Sequence, residues 1–60
     1  MTSDVFKFLV RGHEKVIAHY RFLLASPALS PSLRSAIEEK LEREEAAQQR
    51  LIEEEGRYAA

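Results

Sequence analysis

With no cysteine and only two histidines, few side chains in this chain can do chemistry. His13 and Glu44 are the two that stand out. Each occupies a position where a helical repeat calls for an apolar residue. An imidazole and a carboxylate set into apolar stripes can form a hydrogen-bonded layer that fixes packing register at some cost in stability. The same pair can offer ligands to iron, manganese or zinc in the core of a helical bundle. The residues alone leave both readings open, as well as a shifted register that puts one of the two in solvent at an edge.

Other chemistries find little footing. Two glycines cannot build a phosphate-cradling loop or a dinucleotide fingerprint. Without cysteine, disulfides and thiolate zinc sites are excluded, and a reducing, cytoplasmic setting is expected. Ser26, Ser30, Ser32 and Ser35 cluster around a turn, where capping accounts for them. His19 flanks the first apolar stripe and reads as a boundary residue. Tyr20 lies within the stripe, with nothing to mark it as redox-active. No catalytic residue is expected.

Two helices must position the His–Glu pair. Thr2, Ser3 and Asp4 offer oxygens to the unpaired N–H groups of a helix start. Phe6, Leu9, Val10, Val16, Ile17, Tyr20, Leu23 and Leu24 then recur at heptad positions a, d and e, with His13 at the second a position. The first helix is expected over residues 4–25. Ser26-Pro27 ends it, because the residue before proline is pushed out of the α region. The turn covers 26–30, with Ser30 as N-cap and Pro31 as first residue of a second helix. That helix is expected over 31–55, with Gly56 as its stop and 56–60 as a tail. Its stripe is Leu33, Ile37, Leu41, Leu51 and Ile52, interrupted by Glu44 and Gln48. Leu29 and Leu33 are expected to close the hydrophobic end over the turn.

A short connection makes the helices antiparallel neighbours. Both rise equally per residue, so partners in one layer have a constant index sum, about 57 for a turn centred near Ala28-Leu29. The layers pair Leu24 with Leu33, Tyr20 with Ile37, Val16 with Leu41, His13 with Glu44, Leu9 with Gln48 and Phe6 with Leu51. Polar exceptions therefore gather at the centre.

Sixty residues make a thin domain, and a lone hairpin leaves much of its stripe uncovered. The expectation is an all-α antiparallel two-helix hairpin assembling as a homodimeric four-helix bundle, a small non-enzymatic assembly module with a central polar layer. The expected oligomer interface is Phe6, Leu9, Val16, Tyr20, Ile37, Leu41 and Leu51. Phe8 and Phe22 join it at c positions opposite the stripe, where they also offer a docking point for a protein partner. Gly12, beside His13, is a candidate point of close helix approach.

Net charge is −1, which points to neither nucleic acid nor a membrane surface as a partner. Charge is segregated, with +3 over residues 1–34 and −4 over 35–60. No apolar run approaches the roughly 20 residues a membrane span needs. No basic region followed by an apolar one opens the chain, so a signal peptide is not expected.

The stretch Gly12-His13-Glu14-Lys15 through Tyr20, the short connection, and Glu44-Glu45-x-x-Gln48 through Leu51 resemble the helical-hairpin members of the ferritin-like group. Those are small bacterial proteins that dimerise into four-helix bundles. The resemblance implies a carboxylate ligand on the first helix, for which Glu14 is the candidate. It also implies a Glu-x-x-His on the second helix, where Glu45-x-x-Gln48 stands in that register. Glutamine is a poor transition-metal ligand, which speaks against ferroxidase-type chemistry. The candidate metal set is therefore His13, Glu44, Glu14, Glu45 and Gln48, with His13 offered in compensation from the opposite helix.

Overall fold

The computed structural model describes residues 4–59, with side chains through Arg57. Two α-helices, α1 (Asp4–Leu24) and α2 (Pro31–Ala59), pack against one another as a hairpin. The capping roles expected of Thr2 and Ser3, and the end of the tail at Ala60, lie outside the described residues. Asp4 opens α1, where a carboxylate is favourable beside the positive end of the helix dipole.

Around the turn the backbone groups find partners locally. The Ala25 N–H is shared between the carbonyls of Arg21 at 3.2 Å and Phe22 at 3.3 Å, and the Ser26 N–H donates to Leu23 at 3.1 Å. This tightened last turn ends α1 at Leu24, one residue before the expected Ala25. Ser30 caps α2 as expected: its Oγ accepts from the Leu33 N–H at 3.3 Å, and its carbonyl accepts the Arg34 N–H at 2.8 Å. Arg34 also reaches back across the turn. Its guanidinium donates to the Leu24 carbonyl at 2.7 Å and the Ser26 carbonyl at 3.0 Å. Those acceptors sit at the C-terminal end of α1, where carbonyls lack intrahelical partners and a cation is favoured.

The expected end of α2 needs correction. Gly56 does not stop the helix, and residues 57–59 are not a tail: α2 continues to Ala59. A stop of that kind needs a left-handed backbone, and no described glycine has a positive φ. Glycine inside a helix costs about 1 kcal/mol relative to alanine, too little to end a run of good helix formers. Arg57 in the last turn complements the dipole.

Packing is confined to one seam. Ile17 and Ile37, at 6% and 8% exposure, are the buried apolar residues among those described. Around them Phe6, Val10, His13, Tyr20 and Leu24 on α1, and Arg34, Leu41, Glu44, Gln48, Leu51 and Glu55 on α2, are half-buried. Ile37 is thus part of the core of one chain. Leu33 is 52% exposed, whereas Leu29 is half-buried. Arg34 takes the seam position there, because its guanidinium is held by the carbonyls behind it. Ile52, expected in the stripe, is likewise exposed.

The molecule is a rod of 45 × 16 × 11 Å. Its radius of gyration is 14.2 Å, against about 10 Å for a compact domain of this length. Among the described residues no helix is long and apolar enough to cross a membrane.

Two stability measurements follow. Arg34→Ala should cost about 1–2 kcal/mol in urea unfolding, because two carbonyls at the end of α1 lose charged donors. Gly56→Ala should add about 0.5–1 kcal/mol, since the helix runs through and an added Cβ meets nothing within 4 Å. A helix stop at Gly56 would give the opposite sign.

Candidate functional site: the His13–Glu44 layer

Helical spacing delivers His13 and Glu44 to the middle of the seam from opposite directions. His13 lies four residues before Ile17, and Glu44 lies seven after Ile37. Each therefore shares a face with the most buried residue of its own helix. In the structure His13 Nδ1 and Glu44 Oε1 are 2.5 Å apart, and both side chains are 26% exposed. An ionised carboxylate can only accept, so Nδ1–H donates to Oε1 in the tautomer that suits an ionised Glu44. This bond, between residues 31 apart in the chain, joins the two helices at the expected index sum of 57.

The remaining candidates do not surround that pair. Glu14, Glu45 and Gln48 line an open groove along one flank of the seam, together with Ile17, Ala18, Arg21 and Gln49. His13 lines a second groove with Leu9, Ala47, Arg50, Leu51 and Glu54. At about 100° per residue the two grooves fall on opposite sides of the α1–α2 contact. In the first groove the cation is already present: Arg21 Nη2 donates to Glu45 Oε2 at 2.9 Å. That pair is solvent-exposed and contributes little to stability.

Among the described residues no three histidine, aspartate or glutamate side chains gather closely enough to hold a metal ion. The five candidate residues are therefore split between the His13–Glu44 pair and a groove in which Glu45 is already paired with Arg21. The chemistry the arrangement supports is charge-assisted hydrogen bonding in a half-buried layer.

Two features escaped reading from the sequence. Arg34 as a cap for α1 depends on the chain turning back on itself, and no local pattern announces that. The pairing of Arg21 with Glu45 crosses the helices diagonally, outside the layer count. No protein-family model matches the chain, and no curated protein or solved structure gives a significant match.

A double-mutant cycle measures the layer. His13→Leu or Glu44→Leu alone should cost about 1 kcal/mol, because a half-buried partner is left unpaired. The double substitution should recover most of that loss, since an apolar pair of suitable shape can replace a polar one. Additive losses would show that the bond contributes nothing to folding.

Proposed function

We propose that this chain is a self-assembling helical hairpin, a non-enzymatic module that works by packing against further copies and uses the His13–Glu44 layer to hold one register. One observation carries the reading: the hairpin exposes far more surface than a folded chain of its mass needs to. Its accessible area is 4921 Å², whereas surface scaling gives roughly 4000 Å² for a compact monomer of this size. The excess, roughly 900 Å², is about what each partner contributes to a standard protein interface. Among the described residues, Val5, Phe8, Leu9, Phe22, Leu33 and Ile52 are the large apolar side chains left exposed. A dimeric four-helix bundle is the simplest closed arrangement that covers such a surface.

A second reading, of the ferritin-like kind, is favoured by the meeting of an imidazole and a carboxylate at mid-seam. Iron, manganese or zinc would then be held between copies, each offering His13 and Glu44, because one chain supplies too few ligands.

Sedimentation equilibrium across a hundredfold range of concentration, paired with thermal melts, tests both. Self-assembly predicts a mass at or above the dimer and a melting temperature that rises with concentration. A concentration-independent monomer with an unchanged melt would refute it. The metal reading predicts that the metal ion raises the melting temperature of the wild type and not of His13→Ala.

A further inference from the structure

α1 carries two apolar seams, and the hairpin uses one of them. The first, Phe6, Val10, His13, Ile17, Tyr20 and Leu24, advances in alternating steps of four and three and faces α2. The second, shifted by one residue, advances in the same steps through Val5, Leu9, Gly12, Val16, His19 and Leu23. Alternating steps of four and three mark one side of a helix that meets another helix along its length. Val5, Leu9, Gly12 and His19 are exposed, and Val16 and Leu23 are half-buried, so this second side is largely uncovered. The corresponding positions on α2 read Leu33, Ala36, Lys40, Arg43, Ala47, Arg50 and Glu54. Four charges in seven place that side of α2 in water. α1 alone is built to be covered twice.

We infer that the second seam of α1 packs antiparallel against the same seam of a second copy, about a twofold axis beside residue 14. The inference rests on the self-assembly reading above and specifies its geometry. Residue 14 is the midpoint of Asp4–Leu24. Antiparallel pairing about it puts Val5 level with Leu23 of the second copy, Leu9 with His19, and Gly12 with Val16. Large meets small at the centre on both sides of the axis, and the ends are aliphatic. This matching meets the requirement that a twofold interface be its own complement. The excess of roughly 900 Å² in accessible area, about one partner's share of a standard interface, favours a second copy as the occupant. Phe8 and Phe22, each 76% exposed, are centred one residue away and border the same seam, at nearly matching levels across the axis. Gly12 gains a role here that it lacks within the chain. A Cβ added to it meets nothing within 4 Å, so no contact inside the hairpin requires glycine at this position. Close approach of a second α1 requires it.

Gly12→Ala separates folding from assembly. Within one hairpin the change favours the helix, so helical content by circular dichroism should hold or rise. Association, read by sedimentation of the full chain, should weaken about tenfold or more, because a methyl group intrudes at the crossing. Association left unchanged or tightened overturns the proposal. The absence of native cysteine allows spin labels at Asp4→Cys or Lys15→Cys in separate variants. Antiparallel α1 pairing predicts a short inter-chain separation at residue 15. At residue 4 it predicts one longer by about 30 Å along the axis, ten residues on each side at 1.5 Å each. Equal separations at both sites mean that the two α1 helices run parallel. That outcome overturns this geometry and leaves self-assembly standing. A monomeric wild type with no dipolar coupling overturns both.

Discussion

Two helices share one line of contact, and everything else about this molecule depends on that geometric limit. A helix in a larger bundle can bury most of an apolar face, because neighbours approach from more than one direction. Here each helix has a single neighbour, so among the described residues the buried apolar side chains are Ile17 and Ile37. Phe6, Val10, Tyr20, Leu41 and Leu51 gain partial cover. The hydrophobic driving force scales with apolar area removed from water. A seam this narrow leaves the hairpin with a small reserve against the conformational entropy of ordering its chain.

That shortage explains the placement of the polar contacts. His13–Glu44 sits at mid-seam, where a shift of register would leave either group facing apolar neighbours without a partner. A half-buried polar pair recovers only part of its desolvation cost, so its contribution to net stability is small. Arg34 does comparable work at the turn. It ties the first residues of α2 to the last carbonyls of α1, so the connection cannot swing freely. The two contacts hold the hairpin at its middle and at its closed end, while the far end of α2 continues to Ala59, beyond the level where α1 begins.

Uncovered apolar surface is unevenly shared between the helices. α2 turns charged residues outward almost everywhere and keeps little apolar surface beyond its seam. α1 holds Val5, Phe8, Leu9 and Phe22 in solvent, with Gly12 among them. A helix that is apolar over more of its circumference than one neighbour can cover is suited to the interior of an assembly. The segregation of charge, basic in the first half and acidic in the second, runs parallel to this division.

Much of the fold was legible from residue order alone, because its causes are local. Heptad spacing makes the helices, Ser26-Pro27 breaks the chain, Ser30-Pro31 restarts it, and equal rise on both sides of a short turn brings His13 to Glu44. These depend on geometry that is the same in any helix. Gly56 misled, because a glycine signals a helix end only if something beyond it turns the backbone, and nothing there does. Which residues occupy the seam was legible only in part: Leu33 and Ile52 belong to the apolar pattern yet stay exposed, since one neighbour covers a narrower arc than the pattern spans. The tertiary structure alone decided that Arg34 caps α1, that Arg21 reaches Glu45, and that Glu14, Glu45 and Gln48 lie across the seam from the groove that His13 lines. Each of these depends on how two helices are rotated about their axes. A repeat of residue types sets that rotation to within a face, and only the packed contact sets it to a side chain.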